Sequence, residues 1–194
     1  MGCTKASLKW TNNIAVFWLA GQEGLLANSS SKPSVHAGLR TRLSGTGWED
    51  LEDDTAQNWE RLGSGEEMDD EGATAVAARI MELLGTEDPV YLSVDIDVLD
   101  PASAPGTGTP EPGGWSTREL IRVLRGVEGL NLVGADVVEV APAYQGAGEE
   151  TALAAAQVVF EVLTSMVKRG AKEEGRGAPR AVPEGAGDDA KDEL

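Results

Sequence analysis

The sequence has few of the residues that usually build disulfides and metal sites. Its 194 residues include one cysteine, Cys3, and one histidine, His36. A single cysteine excludes a disulfide within the chain. His36 lies in the short apolar stretch 34–39, and a histidine metal site needs partner histidines. We therefore expect His36 to be a core residue and not a metal ligand.

Basic residues and long apolar runs are also scarce. Lys and Arg number 16 against 33 Asp and Glu, which gives a formal net charge of −17. This excess of acid argues against a nucleic-acid partner and is compatible with a small cationic substrate. No stretch approaches the roughly 18 apolar residues of a membrane span, so no membrane partner is expected. With 41% apolar residues, the chain is long enough for one domain with a sizeable core.

The stretch 90–114, VYLSVDIDVLDPASAPGTGTPEPGG, carries the candidate chemistry. It begins as a buried strand and continues as a loop rich in glycine and proline. Side chains alternate along a strand, so Asp95 and Asp97 are expected to project together. Two carboxylates at the end of a strand repel each other unless a cation lies between them, and carboxylates suit Mg, Ca or Mn. The alternative for a bare D-x-D pair is two solvated aspartates in a turn.

Helical and strand patterns alternate around this stretch, which predicts an α/β domain. Residues 14–20 are interpreted as a buried strand or an arbitrary start to the chain. The other expected elements are strands at 34–39, 59–62, 90–98 and 130–140, and helices at 72–85, from Ser116 and at 149–168. For the last helix, the spacing predicts an inward apolar side made of Leu153, Ala156, Phe160, Leu163 and Val167.

The motif from Ser93 to Gly114, S-V-D-I-D-V-L-D-P-x-x-A-P-G-T-G-T-P-x-P-G-G, closely resembles a signature of the ureohydrolase family. This family comprises arginases, agmatinases and related guanidino hydrolases. Residues 134–144 and 151–156 are similar to agmatinase segments near the last core strand and the C-terminal helix. The resemblance is closest to fungal-type agmatinases. It implies a three-layer α/β/α arginase-like fold around a parallel sheet, with the N-terminal strands missing from this chain.

The resemblance also implies a chemistry. Family members hold two manganese ions bridged by a hydroxide that attacks the guanidinium carbon, so that urea and an amine leave. Asp95 and Asp97 match two metal-ligating aspartates, and Glu139 matches the glutamate that binds the substrate guanidinium. Asp100 is expected to be a structural turn carboxylate. The implied reaction is conversion of agmatine to putrescine and urea, a step of polyamine biosynthesis, although other guanidino substrates fit equally well.

Part of the family pattern has no counterpart here. The motifs G-G-D-H-S and D-A-H-x-D, which supply the other four metal ligands, do not occur in the sequence, and Gln145 stands where the family has Asp. Manganese binding is therefore expected to be weak. Two hypotheses stay open: an agmatinase-like hydrolase, or a truncated, inactive or non-catalytic chain that associates with a full-length relative or with itself. A phosphate site at 106–109 fits poorly, because no Lys follows the glycines.

Three segments are predicted. Residues 1–20 are an unplaced N-terminal segment, 21–169 a partial ureohydrolase domain, and 170–194 an acidic tail that should be disordered. The tail ends in KDEL, the signal for retrieval to the endoplasmic reticulum. No convincing signal peptide precedes it. The expected location is therefore the lumen of the endoplasmic reticulum or, alternatively, the cytoplasm.

Overall fold

The computed structural model describes residues 4–8, 14–26, 33–41, 49–62 and 72–175. Five parallel strands form one sheet in the spatial order β3-β2-β1-β4-β5. Parallel neighbours need long crossover connections, and most of these connections contain a helix. The strands are β1 (Thr4–Leu8), β2 (Ser34–Ala37), β3 (Trp59–Leu62), β4 (Pro89–Asp95) and β5 (Asn131–Val138).

Five α-helices accompany the sheet within the described residues. They are α1 (Ile14–Gln22), α2 (Glu49–Ala56), α3 (Gly72–Leu84), α4 (Thr117–Gly126) and α5 (Glu150–Glu173). Short 3₁₀ turns follow β4 at Ile96–Val98 and β5 at Pro142–Tyr144. The predicted capping box is present before α4, where Ser116 and Glu119 each bond the other's backbone.

One apolar cluster joins β2, β4 and β5 to α3, α4 and α5. On β4, Val90, Leu92 and Val94 belong to this cluster and are at most 2% exposed. The alternate side chains of β4 are polar. Tyr91 and Ser93 donate hydrogen bonds to the carboxylate of Asp136 on β5, at 2.8 and 2.5 Å. The strand β4 therefore directs apolar side chains to one face of the sheet and polar side chains to the other.

The N-terminal segment differs from the sequence interpretation. Residues 14–20 belong to helix α1, so the predicted buried strand is wrong at this position. A short apolar run does not distinguish a strand from a helix by its periodicity. The strand lies earlier, at 4–8, where β1 pairs with both β2 and β4 in the middle of the sheet.

The orientation of α5 also corrects a prediction. Leu153, Phe160, Leu163 and Val167 were expected to point inward, yet each is between 55% and 69% exposed, and Ala156 is exposed as well. The buried residues of this helix are Thr151, Val158, Glu161, Val162 and Ser165. The helix is apolar on two sides, and its buried side includes polar residues that pattern analysis assigns to the surface.

The carboxyl end of α5 extends into the predicted tail. The helix continues to Glu173, whereas disorder was expected from residue 170. Residues 176–194, with the retrieval signal, lie outside the described residues. By length and composition α5 is long enough and apolar enough to cross a membrane. Its buried Glu161, however, binds Arg125 of α4, which is typical of a helix that packs within a domain.

Candidate functional site at the ends of β4 and β5

The end of β4 brings two of the predicted site residues together. Asp95 closes the strand and Asp97 lies in the following 3₁₀ turn, and both are almost completely buried. The Asp95 carboxylate accepts the backbone N–H of Asp97 at 3.1 Å. The Asp97 carboxylate accepts the hydroxyl of Thr109 at 2.7 Å. The turn, and not the alternation of a regular strand, therefore holds the two carboxylates near each other.

Glu139, the third predicted residue, follows β5 with an unusual backbone. Its φ is 62°, in the left-handed region that side chains other than glycine rarely adopt. A Cβ atom placed on Gly108 would lie 3.7 Å from the Glu139 carboxylate. Gly108 adjoins Thr109, whose hydroxyl binds Asp97. The same glycine-rich loop thus borders Asp97 and Glu139, and Asp95 is joined to it only through the backbone of Asp97 among the contacts described.

The loop is fixed in place by Gly106. Its N–H donates to the Thr151 hydroxyl at 2.7 Å, and its carbonyl accepts the N–H of Ala141 at 2.8 Å. A Cβ atom at this position would lie 2.9 Å from side-chain atoms of both Thr151 and Gln145. Gly106 is therefore required by the close approach of the loop to the start of α5.

Gln145, which departs from the family pattern, has a structural contact here. Its side-chain oxygen accepts the backbone N–H of Ala152 at 2.9 Å. The first N–H groups of a helix lack partners within the helix, so this bond satisfies one of them in α5. Gln145 therefore helps to attach the turn Pro142–Tyr144, which follows β5, to helix α5.

Arg40 supports the 3₁₀ turn Ile96–Val98 after β4, which we call the β4 turn. Sequence analysis did not identify Arg40 as a site residue. It follows β2, and its guanidinium donates to the backbone carbonyls of Asp97 at 2.8 Å and Val98 at 3.3 Å. It also donates to the carbonyl of Glu111 across the loop at 3.1 Å. Burial lowers the pKa of Arg40, while the nearby carboxylate of Asp97 opposes that shift. The only sequence indication was a cationic residue directly after a buried strand.

Asp100 has the turn contacts expected of a structural carboxylate. It accepts the backbone N–H groups of Ala102 at 2.9 Å and Gly113 at 2.8 Å. The hydrogen bond from Ala102, followed by that from Gly113, holds the pKa of Asp100 below its ordinary value, because both stabilise the charged carboxylate. The residue closes the base of the loop and does not join Asp95 and Asp97 through any contact described here.

His36 lies on β2, between β1 and β3. It is 4% exposed and stacks on Trp59 of β3, with ring centroids 4.0 Å apart. Its Nε2 lies 3.6 Å from the buried carboxylate of Asp54. The structure thus agrees with the expectation of a core histidine.

The donor set does not fit a pair of metal ions. Within the described ranges, no group of three or more His, Cys, Asp or Glu is arranged to hold a metal. Asp95 and Asp97 each also accept a hydrogen bond from the protein. A hard cation such as Mn²⁺ prefers about six oxygen or nitrogen ligands. The described residues therefore provide only part of a metal site.

Sequence comparison defines the class of protein. A family model described as the arginase family matches residues 9–164. The chain therefore belongs to the arginase family, whose enzymes are hydrolases and typically contain two manganese ions. The family resemblance of the β4 motif is confirmed.

The individual relatives are agmatinases. The chain is 50% identical over 167 residues to the protein named "putative agmatinase 1" of Schizosaccharomyces pombe, a match that covers 86% of this chain and 40% of the relative. It is 41% identical to the agmatinase of Chromobacterium violaceum, over 80% of this chain and 43% of that protein. The chain thus spans less than half the length of these relatives.

Solved structures confirm the fold. The crystal structure of a hypothetical agmatinase from Burkholderia thailandensis superposes with a TM-score of 0.72 at 36% identity, covering 88% of this chain and 52% of that one. The proclavaminate amidino hydrolase of Streptomyces clavuligerus gives a TM-score of 0.71 at 32% identity, covering 85% of this chain and 55% of that chain. The predicted arginase-like α/β class is therefore correct.

Proposed function

We propose that this chain carries the guanidinium-binding part of an agmatinase-type hydrolase site. The substrate would be agmatine or a related small guanidino cation, which hydrolysis converts to urea and an amine. The observation that carries the proposal is the strained Glu139, whose carboxylate borders the loop that binds Asp97. Strained backbone of this kind clusters at active and binding sites.

The chemistry of Glu139 suits a planar cation. A carboxylate pairs with a guanidinium through two parallel hydrogen bonds, which fixes both the position and the plane of the ligand. Glu139 is half-buried, so it keeps access to solvent while the surrounding loop limits its movement. The buried carboxylates of Asp95 and Asp97 add negative charge at the neighbouring strand end, which favours a cationic ligand.

Hydrolysis requires more than the described residues supply. Two aspartates from one turn are too few to hold the manganese ions of the family, so we derive no metal-dependent step for this chain alone. We infer that turnover needs ligands from another polypeptide, such as a full-length relative. The second candidate function, a subunit that binds the guanidino compound without hydrolysing it, is favoured by the same incomplete donor set.

Urea release from agmatine with added Mn²⁺ tests the proposal. Three samples are compared: the chain alone, the chain mixed with full-length S. pombe relative made inactive in its own Glu139-equivalent position, and a fusion that restores the family's first half. We expect the fusion to release urea and the chain alone to release none. Turnover by the chain alone would contradict the inferred need for further ligands.

Variants of the fusion then test the role of Glu139. Glu139→Gln keeps the size of the side chain and removes its charge, so we expect a loss of at least about 100-fold in kcat/KM, in line with removal of a charged hydrogen bond at the reacting group. Glu82→Gln is the matched control, because Glu82 is an exposed residue of α3 that binds only Arg79 among the contacts described. Unchanged activity of Glu139→Gln would refute the assignment.

Ligand binding separates the two candidate functions. Calorimetric titration of the chain with agmatine, and with putrescine as the amine that lacks a guanidinium, needs no turnover. Binding of agmatine but not putrescine, abolished by Glu139→Gln, together with an inactive fusion, would support the non-catalytic subunit. Absence of agmatine binding to both the chain and the fusion would overturn both candidates.

A further inference from the structure

Three polar side chains join β4 to β5 just before the candidate site. Asp136 of β5 accepts the hydroxyl of Tyr91 at 2.8 Å and that of Ser93 at 2.5 Å, and each carboxylate oxygen takes one of them. Ser93 is buried, and the other two residues are half-buried. We call Tyr91, Ser93 and Asp136 the strand clamp. It lies two residues before Asp95 on β4 and three residues before Glu139 on β5.

The pairing of β4 with β5 is irregular just before the strand clamp. Val90 pairs with Leu132, but Tyr91 pairs with Gly134, so Val133 is an extra residue in β5. A bulge of this kind interrupts the ladder of hydrogen bonds and bends the strand that carries it. The register of the strand ends therefore depends on contacts made beyond the bulge.

The alternation of apolar and polar residues does not by itself fix this register. A slip of one residue would carry Asp136 to the apolar face of the sheet, so the alternation opposes that slip. A slip of two residues keeps every side chain on its own face, because the side-chain period of a strand is two. Only a contact between particular residues excludes the slip of two.

The strand clamp fits a single register. Ser93 and Asp136 are direct partners, so a short hydroxyl lies opposite the carboxylate. Tyr91 lies two residues earlier, about 6.6 Å along the strand, and spans that distance with its long side chain. Its ring passes over Gly134, where a Cβ atom would lie 3.0 Å from two ring carbons. A slip of two residues would place Asp136 opposite Tyr91 or Asp95, with the hydroxyl of Ser93 out of reach in both cases.

We propose that Asp136 is a positioning residue, which through the strand clamp fixes the place of Glu139 relative to the β4 turn. This inference rests on the guanidinium-binding role proposed above for Glu139. Val138 pairs with Asp95 and directly precedes Glu139, so the register decides which residue of β5 reaches the site. A slip of two residues would displace Glu139 by about 6.6 Å, more than twice the length of a hydrogen bond. Its carboxylate would then no longer hold a guanidinium beside the β4 turn.

Proton–proton contacts between the two strands, measured by NMR on the isotope-labelled full chain, test the clamp. In the wild type we expect contacts between Asp95 and Val138, beyond the bulge, and between Val90 and Leu132, before it. Asp136→Ala should lose or shift the first set and keep the second. A general loss of stability would not select one side of the bulge, so this pattern separates positioning from a merely structural role.

Three further variants support this measurement. Glu82→Ala is the control, because it removes an acid whose ion pair with Arg79 is exposed and outside the sheet, and it should keep both sets of contacts. Asp136→Asn retains one acceptor oxygen, so it should keep part of the contacts beyond the bulge. If Asp136→Ala does not fold, the double variant Tyr91→Phe with Ser93→Ala takes its place, because it removes both donors and leaves the carboxylate.

Calorimetric titration with agmatine, of the chain and of the fusion described above, tests the consequence for the site. We expect the Kd of Asp136→Ala to rise at least about 10-fold, as for loss of a hydrogen bond to a charged group, with partial recovery in Asp136→Asn. Unchanged contacts between the strands in Asp136→Ala would refute the proposal, as would an unchanged Kd where those contacts are lost. Absence of agmatine binding to both wild-type proteins would instead refute the role of Glu139, while the NMR contacts would still show whether Asp136 fixes the register.

Discussion

The turns that follow β4 and β5 both carry acidic residues, but the two turns hold their carboxylates in different ways. After β4, the carboxylates of Asp95, Asp97 and Asp100 all accept hydrogen bonds from the protein. After β5, Glu139 has a strained backbone and a half-buried carboxylate. The first turn is thus held by several hydrogen bonds from the protein, and the second holds a carboxylate in a conformation that costs stability.

This difference suggests a division of labour between the two turns. A turn held by several hydrogen bonds contributes rigidity, because the bonded groups would lose their partners if the turn moved. A strained residue contributes little to stability and persists because the surrounding structure holds it. The comparison therefore predicts that changes in the β4 turn act mainly on stability, whereas changes at Glu139 act mainly on ligand binding.

Arg40→Ala should give the largest effect. The guanidinium binds the carbonyls of Asp97 and Glu111 and so holds the turn and the loop together. Removing the guanidinium would leave these partly buried acceptors without that donor. Hydrogen bonds to charged groups contribute about 1.5–3 kcal/mol each, so we expect the free energy of unfolding to fall by about 3 kcal/mol. Urea unfolding followed by tryptophan fluorescence measures this change.

Two variants provide the controls for Arg40. Arg40→Lys keeps the charge but lacks the planar fork, so it should recover only part of the loss. Arg79→Ala removes an arginine from an exposed ion pair with Glu82 and should change stability by no more than about 0.5 kcal/mol. Equal effects of Arg40→Ala and Arg79→Ala would show that the β4 turn does not depend on Arg40.

Gly106→Ala tests the connection between the two turns and should have the next largest effect. The added methyl group would lie 2.9 Å from atoms of Gln145 and Thr151, so the loop or the start of α5 must move. Overpacking of this kind costs about 1–3 kcal/mol. Because the same loop borders Glu139, agmatine binding should weaken together with stability, as measured by unfolding and by calorimetry.

Gly170→Ala is the matched control for Gly106→Ala. Gly170 lies within α5, and a Cβ atom there meets nothing within 4 Å. Alanine is favoured over glycine inside a helix by about 0.5–1 kcal/mol, so this variant should be slightly more stable than the wild type. Destabilisation by both substitutions to the same extent would contradict the argument from close packing.

Glu139→Gly should separate stability from binding, with a smaller effect on stability. Glycine adopts the left-handed region freely, whereas other residues pay roughly 1–2 kcal/mol there. Glycine also costs entropy on folding, which offsets part of this relief. We therefore expect the free energy of unfolding of Glu139→Gly to rise by about 0.5–1 kcal/mol, while agmatine binding is lost. Glu139→Gln keeps the strain, so it should lose binding without that gain. A destabilised Glu139→Gly would show that the carboxylate has a structural role.

The β4 motif was the part of the site most open to sequence analysis. Its acidic residues, loop glycines and capping box lie within one short stretch, so local pattern and resemblance together located them. Arg40 was missed because its acceptors are backbone carbonyls, and the nearest of these in the site, that of Asp97, is 57 residues away. A carbonyl oxygen carries no residue identity, so a sequence pattern does not reveal such a contact.

The rotation of α5 was missed for a different physical reason. Val158 and Val162 form one apolar stripe of the helix, and Phe160 belongs to another. The choice between them depends on Glu161, which is buried because Arg125 of α4 lies within reach. Periodicity alone assigns a glutamate to the solvent side, so it selected the opposite stripe.

Acid unfolding should show the smallest effect and tests the β4 turn through Asp100. Its pKa lies below the ordinary aspartate value in the folded chain, because the N–H groups of Ala102 and Gly113 stabilise the charged form. The unfolded chain therefore binds this proton at a higher pH than the folded chain does. The contribution of Asp100 to stability is complete above the ordinary value, about 3.9, and is lost as the pH falls through the lower folded pKa.

The difference between wild type and Asp100→Asn isolates this contribution from the other acids. Asparagine keeps one acceptor oxygen but no charge, so the variant should be less stable at neutral pH by an amount that shrinks as the pH falls below about 4. Urea midpoints from pH 6 to pH 2.5 measure that difference. A gap that stays constant with pH would mean that the hydrogen bonds from Ala102 and Gly113 do not depend on the charge of Asp100. The β4 turn would then depend on the hydrogen bonds that Asp100 accepts and on Arg40, and not on the charge of Asp100.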